Sequence, residues 1–450
     1  MRRPMDEMLR AAAGRRSGHM PGHKGRAPFD EPLFALDTTE LPVTDDLYRP
    51  FAAIAEAQAL WAEAAGAEAS LFLTDGSTAG IHVLLGLKTH PGDRVLLPRD
   101  AHLSAVSACV LLGLEPVWIP LDQRADGSPV LREERVLEAV ETQPEARTLL
   151  LVRPDYFGRC LPLERIAAAC RERGLFLAVD EAHGAHFPWL GAGWSAAGLA
   201  DGWVQSVHKT LPGLTGSAAL CLRNAEDRPR ALSLLRRVQT SSPSFLLLRS
   251  IDDARAWMQE QGSIRLQALV KAADGLRARL GEWGLADGRQ GWDADGSLLD
   301  PTRLVIASPA GGFALAEALE RSGYDIEMAD EERAVIILTA MDGEADVEAL
   351  ARLLEGLPPL PPIALQRQQP LPLLQAVLPP REAALGLTEA VPLTEAAGRI
   401  AAVAAGLYPP GIPLATPGEI ISREIAERLR SAGPARRFGT EGETIACVSR

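Results

Sequence analysis

The residues of this chain that could do chemistry fall in short runs, each placed directly after a short apolar stretch. Thr74-Asp75-Gly76-Ser77-Thr78-Ala79-Gly80 follows the apolar run at 71–73, and Arg99-Asp100-Ala101-His102 follows 95–97. Arg153-Pro154-Asp155-Tyr156-Phe157-Gly158 follows 148–152, Asp180-Glu181-Ala182-His183-Gly184 follows 175–179, and His208-Lys209-Thr210 follows 203–207. In order, these runs offer small and hydroxylated residues at a helix start, an imidazole, a phenol, a carboxylate and an amine. A helix N-terminus with free amides is an anion cup. An aspartate can hold a protonated pyridine nitrogen, and a lysine can form a Schiff base with an aldehyde. Phosphate, pyridine and aldehyde together describe pyridoxal 5′-phosphate.

Taken singly, each run has a plainer use. Gly-Ser-Thr at a helix start is commonly an N-cap, a lone histidine a structural hydrogen-bonder, a lone lysine a solvated charge, and Asp180 a cap for its own loop. Their joint placement carries the reading. Two rivals fail. Asp180-Glu181-Ala182-His183 spells a helicase signature, but no GxxxxGK[ST] loop accompanies it. His183, His186, Asp180 and Glu181 have ligand-like spacing, but nothing elsewhere completes a metal motif.

The elements that must position these residues alternate. Strand patterns occur at 71–73, 95–97, 116–120, 148–152, 175–179, 203–207 and 218–222. Helical patterns lie at 51–65, 78–87, 101–112, 133–141 and 163–173. Strands separated by helices of this length predict βαβ units and a largely parallel sheet. Ligands of such sheets bind beyond the carboxyl ends of the strands, where the reactive runs lie. From about residue 240 the pattern changes to a long helical region at 245–283. Strands at 303–307 and 334–338 and helices at 313–321 and 345–354 follow, a smaller α+β domain. The expected organisation is an irregular N-terminal arm at 1–50, a cofactor-binding large domain at 51–240 and the small domain at 241–357. A Pro-rich linker at 358–380 and a C-terminal domain at 381–450 complete it.

Composition bounds the class. Of 450 residues, 47% are hydrophobic, which excludes a disordered chain. With 46 Lys and Arg against 59 Asp and Glu, the net charge of −13 speaks against a nucleic-acid binder. The five cysteines are scattered and never paired as CxxC, so neither a zinc site nor a disulfide framework is expected, and a reducing compartment fits. No signal peptide and no apolar run of about 18 residues is visible, so no membrane partner and a cytoplasmic location are expected.

Several segments resemble a known family. They are His19-Met20-Pro21-Gly22-His23-Lys24-Gly25, Asp45-Asp46-Leu47, Gly76-Ser77-Thr78, Asp180-Glu181-Ala182-His183-Gly184-Ala185-His186 and Ser206-Val207-His208-Lys209-Thr210-Leu211-Pro212. Thr240-Ser241-Ser242-Pro243, Tyr408-Pro409-Pro410-Gly411-Ile412-Pro413 and Pro417-Gly418-Glu419 complete the set. The chain resembles the short bacterial form of the Orn/Lys/Arg decarboxylase family, fold type I. The resemblance implies an α/β, aspartate aminotransferase-like large domain with a mostly parallel sheet, a smaller α+β domain and a small C-terminal domain.

It also implies roles. Lys209 would carry pyridoxal 5′-phosphate, Asp180 would pair with the pyridinium nitrogen, and His102 would stack on the ring. Ala182 would lie beneath the ring, and His183 is counted with the cofactor-binding residues. Gly76, Ser77, Thr78, Ser206 and His208 would surround the phosphate. Ser241 would reach a phosphate in the partner subunit of a homodimer or dimer of dimers. Glu419 would stand near the mouth of the site as the anion for the substrate's distal cation. The expected reaction is decarboxylation of a basic amino acid (lysine, arginine or ornithine) to a polyamine-type amine and CO2.

The chain departs from the family at Asp75, Ile81, Arg153 and Asp155. These departures motivate a non-catalytic, cofactor-binding scaffold as one alternative. Another fold type I reaction (aldol cleavage, β-elimination or transamination) is the other.

Overall fold

The structure, a computed structural model, describes residues 1–13, 32–124, 126–364, 373–408 and 411–449. The His19–Gly25 run and the Pro409-Pro410 pair therefore lie outside the described residues.

Seven strands form the main sheet: β1 (Ala69–Leu73), β2 (Arg94–Pro98), β3 (Glu115–Ile119), β4 (Thr148–Val152), β5 (Phe176–Asp180), β6 (Gly202–Ser206) and β7 (Ala218–Leu222). Their order is β1-β7-β6-β5-β4-β2-β3. All residues of β1, β5, β6 and β7 are buried, as expected of apolar strands covered on both faces. β2 runs parallel to β3 and β4. β7 is antiparallel to both β6 and β1, with Ser206 opposite Ala218. The sheet is thus mixed, with one reversed strand. The short stretch 211–217 between Thr210 and β7 has no room for the crossover a parallel strand needs.

The chain divides into two compact units, each built from several segments. The first comprises Met1–Leu87, Val179–Ala272 and Leu338–Val347; the second comprises Lys88–Ala178, Ala273–Ile337 and Glu348–Arg450. In the first unit, helix Gly76–Gly86 packs closely on the sheet. A Cβ at Gly80 would lie 2.5 Å from Val204 Cγ2, so the close approach requires glycine. The arm expected to be irregular holds a helix, Pro4–Ala12. Pro4 opens it and Met5 and Leu9 are buried, while Met5 N donates to the buried Asp252 carboxylate at 3.2 Å. The long helical region runs as Phe245–Trp257, a π turn at Met258–Gly262, then Ser263–Arg279.

In the second unit, a four-stranded antiparallel sheet has the order Ala286–Asp287, Arg303–Ala307, Arg333–Ile337, Met328–Ala329. The C-terminal segment forms two small three-stranded sheets around its own core, which includes Val391, Leu414, Ile421, Ile425 and Ile445. Among the described residues no helix is long and apolar enough to cross a membrane.

Candidate active site

β5 and β6 are neighbours, so the turns at their carboxyl ends lie side by side in the first unit. After β6 the chain makes one short helical turn, Val207–Thr210, which presents Lys209 half-buried. Its Nζ lies 3.2 Å from Nε2 of His183, on the turn after β5. Asp180 closes β5, buried, and its Oδ1 accepts from Ala182 N at 3.1 Å. Ala182 is buried, and its carbonyl accepts from Ser206 N at 3.3 Å. The turns bearing Lys209 and Asp180 are therefore tied to each other. The Nδ1 of His208 is 2.9 Å from the Ser217 carbonyl, and because a carbonyl only accepts, that nitrogen carries the proton.

Glu181, fully buried, has a structural use. It accepts from Ala196 N at 2.7 Å, Gln205 Nε2 at 2.7 Å and Ser195 Oγ at 3.2 Å. Among the described residues no group of three or more His, Cys, Asp or Glu side chains is placed to hold a metal ion.

Around Lys209 three hydroxyls are left without hydrogen-bond partners although buried: Ser206 Oγ, Thr210 Oγ1 and Ser217 Oγ. Buried polar groups are almost always paired, so such a cluster calls for a ligand with acceptor oxygens. Ser206 and His208 were anticipated; Thr210 and Ser217 were not. Ser217 reaches this position only because β7 runs back antiparallel beside β6, with Val207 N donating to the Ser217 carbonyl at 3.0 Å.

The loop at 74–78 offers a second anion-binding feature in the same unit. Gly76 takes a positive φ of 70° and donates its N–H to the Gly216 carbonyl at 2.9 Å. No side chain caps the helix that starts there, and Ser77 and Thr78 occupy its first turn. Asp75, the departure nearest this cup, turns elsewhere. Its Oδ2 accepts from Thr74 Oγ1 at 3.2 Å and from Thr240 N at 3.4 Å. Ser241 is exposed and lines a surface hollow with Glu40, Asp46, Tyr48, Arg49 and Arg236.

Two expected site residues belong to the second unit. His102 is exposed and caps helix Leu103–Leu112, its Nδ1 accepting from Ser104 N at 3.1 Å. Glu419 is 1% exposed, and its Oε2 lies 3.1 Å from Arg99 Nη2 and accepts from Thr416 N at 2.7 Å. Arg99 also donates to the Leu414 carbonyl at 2.9 Å and stands 4.8 Å over the Trp118 ring. Burial pushes the Glu419 carboxyl above the usual range, opposed by Arg99. A closed ion pair is not the setting expected of an anion at the mouth of a site.

The remaining departures also have structural uses. Ile81 is core, and Arg153 Nε donates to the Leu161 carbonyl at 3.0 Å. Asp155 Oδ1 accepts from Phe157 N and Arg159 N, each at 2.9 Å. Burial pushes the Asp155 carboxyl up, against the pull of Arg159. The neighbouring Asp100 is pushed to about 7, by burial first and then by the charge of Asp155.

A sheet with one reversed strand, a lysine after β6, an aspartate after β5 and a cradle of unpartnered hydroxyls define a fold type I pyridoxal phosphate enzyme. Solved structures agree on the fold. The lysine decarboxylase of Francisella novicida matches with a TM-score of 0.83 at 17% identity, covering 99% of this chain and 81% of that one. The constitutive lysine decarboxylase of Escherichia coli matches at 0.81 and 18% identity, over 100% and 82% of the two chains.

Sequence comparison is more particular. Residues 12–290 match the Orn/Lys/Arg decarboxylase major domain and residues 364–435 the C-terminal domain of that family. Arginine decarboxylase of Halalkalibacterium halodurans is 32% identical over 95% of this chain and 92% of its own length. Arginine decarboxylase of Bacillus subtilis is 32% identical over 90% and 88%. The chain belongs to the Orn/Lys/Arg decarboxylase family and is a pyridoxal phosphate-dependent amino-acid decarboxylase.

Proposed function

We propose that the chain removes the α-carboxylate of a basic amino acid, with arginine the first substrate to test, and releases CO2 and the corresponding amine. The carrying observation is the Lys209–His183 contact at 3.2 Å beside the three unpartnered hydroxyls. Relatives named arginine decarboxylase, at 32% identity over most of both chains, favour arginine over lysine and ornithine.

The cofactor, when bound, supplies an electron sink for the pair left on the α-carbon. The rest falls to the chain. Lys209 Nζ would hold the cofactor. His183 Nε2, within hydrogen-bond distance of that Nζ, can take or return its proton. Asp180 supplies a fixed negative charge in a buried setting, suited to keeping a pyridine nitrogen protonated. Ser206, Thr210 and Ser217 would donate to phosphate oxygens, together with amides of the uncapped helix Gly76–Gly86. Ser241 would serve a partner subunit's site in a homodimer.

The test is to incubate the purified protein and pyridoxal phosphate with arginine, lysine and ornithine separately, and to identify products by mass. The expected product is agmatine with one equivalent of CO2. A keto acid or an aldehyde would replace this reading by another fold type I reaction. Tight cofactor binding without turnover of any of the three would replace it by a scaffold.

A further inference from the structure

The loop at 74–78 leaves the main sheet from β1, an edge strand. Backbone groups on the outer side of an edge strand have no neighbouring strand to pair with. Gly76 N is tied to the Gly216 carbonyl at 2.9 Å. Thr74 N is answered by a side chain instead. It donates to Oε1 of Gln239 at 2.9 Å, 165 positions further along the chain. Gln239 is buried and closes helix Arg228–Val238, its own N donating to the Leu235 carbonyl at 2.9 Å.

The bonds around Gln239 can run in one direction only. A backbone N–H only donates, so the Gln239 amide oxygen must face Thr74. Its NH2 then faces the other neighbour, the Tyr48 hydroxyl oxygen at 3.4 Å. That leaves the phenol proton for the Thr240 carbonyl, which accepts it. Thr240 N in turn donates to Asp75 Oδ2 at 3.4 Å. Tyr48 is held from the same helix, its carbonyl accepting from Arg236 Nη2 at 2.6 Å. Residues 239–240 thus clasp residues 74–75, directly before the helix start that carries Ser77 and Thr78. All of these residues belong to the first unit.

Asp75 and Thr78 are exposed and Gly76 and Ser77 half-buried, so packing holds this stretch weakly and hydrogen bonds carry its placement. A helix N-terminus binds an anion only where its amides converge on the anion's position. Resting on the reading that the cofactor's phosphate sits at this cup, we propose that Gln239 is a positioning residue for cofactor binding: it fixes Thr74 N, and with it the aim of the helix start at Gly76–Thr78, while the Tyr48 phenol holds the Gln239 side chain. Its action is through the loop, not by contact with the cofactor. Without the Gln239 acceptor, Thr74 N is satisfied only by a loop movement that lets water reach it. That movement costs little in the empty site and opposes the phosphate in the filled one, so the loss falls on affinity for the phosphorylated cofactor.

Pyridoxal phosphate and pyridoxal, titrated separately into the cofactor-free full chain and followed by absorbance, test this. The parent protein should prefer the phosphorylated form by roughly 100-fold or more, since several charge-assisted bonds are at stake. A parent that binds both alike would remove the phosphate from the cup, and the proposal would fall with that reading. Given the preference, the variants test Gln239 itself. Gln239→Met should raise the Kd of pyridoxal phosphate roughly tenfold, as expected for one unsatisfied donor, and leave that of pyridoxal within about twofold. Gln239→Glu, which keeps an acceptor for Thr74 N, should recover part of the lost affinity. Tyr48→Phe should show the same phosphate-selective loss at roughly two- to threefold, and it decides the matter if Gln239→Met does not fold. Equal losses for both ligands would mean that Gln239 only stabilises the fold, and would overturn the proposal. So would an unchanged pyridoxal phosphate Kd in Gln239→Met, or a Gln239→Glu variant that binds no better than Gln239→Met.

Discussion

Ser206, Thr210 and Ser217 in the first unit and Arg99 and Glu419 in the second are all polar and all nearly or wholly shut from solvent, yet they are treated oppositely. The three hydroxyls have no partner in the protein. Glu419, by contrast, has one oxygen committed to Arg99 and Thr416, though its other oxygen, Oε1, has no partner. Leaving a buried hydroxyl unpaired costs about 1–3 kcal/mol, and the hydroxyls surround the turn that carries Lys209. Such a cost is tolerated where a ligand repays it. The ion pair needs no ligand to hold its charges. It is the clustering of three unpaired hydroxyls beside Lys209 that points to a ligand, whereas the Arg99–Glu419 pair joins parts of the second unit.

The strongest challenge to this contrast is Lys209→Ala. Activity should fall by roughly 10⁴-fold, the upper range for a positioned proton-transfer group, with circular dichroism unchanged. Borohydride should fix the cofactor to Lys209 in the parent protein. A cofactor mapped to Lys24, Lys88 or Lys271 would move the site away from the hydroxyls and dissolve the comparison.

Glu419→Ala tests the other side. It leaves the Arg99 charge buried without its carboxylate, and should destabilise the protein by about 3–5 kcal/mol in denaturant unfolding. The cofactor absorbance of the variant, measured where it is folded, should match the parent. Weaker substrate binding with stability unchanged would instead return Glu419 to the distal-cation role.

Asp180→Asn keeps the shape of the turn and its bond to Ala182 N while removing the charge. The expected loss is about 10²–10³-fold in kcat, that of one electrostatic partner of a transition state. Near-parental turnover would leave Asp180 as a loop cap only.

Asp100 gives a pH test in the second unit. Its carboxyl is pushed to about 7 in the folded protein, against about 4 in an unfolded chain. The native state therefore holds the proton more tightly, and this contribution to stability falls as pH rises from about 4 to about 7. Asp100→Asn should flatten that part of the stability profile in urea unfolding at stepped pH. An unchanged slope would show that other groups set it.

How much of this was legible in the sequence depended on locality. The strands Thr148–Val152, Ala218–Leu222 and Arg303–Ala307 lie where apolar runs placed them, because a strand buried on both faces needs nothing but those runs. The pairing of Lys209 with the turn after β5 was readable too, since consecutive reactive runs at strand ends converge when the strands are neighbours. The direction of β7 was not readable from strand patterns alone, and Ser217 went unseen with it. Arg99 and Glu419 are 320 residues apart, and no spacing rule connects them. The helix Pro4–Ala12 buries Pro4, Met5 and Leu9, but the bond from Met5 N to Asp252 is a tertiary fact that no local pattern carries.

Ser217→Ala carries the smallest expected effect and bears most directly on the contrast. Ser217 is fully buried, its carbonyl is held by Val207 N and faces His208 Nδ1, and only its Oγ lacks a partner. Alanine at this position removes the hydroxyl and leaves those backbone bonds in place. Without cofactor, the variant should be as stable as the parent or slightly more stable, because an unpaired buried polar group has been deleted. With cofactor, it should lose one hydrogen bond to an anionic phosphate, about 1.5–3 kcal/mol, or roughly tenfold to 100-fold in cofactor Kd. The measurement is a pair of unfolding curves, with and without pyridoxal phosphate, and a titration followed by cofactor absorbance. A clear loss of stability in the cofactor-free protein would mean that Ser217 Oγ has a partner within the protein and belongs with Glu419 rather than with the ligand cradle.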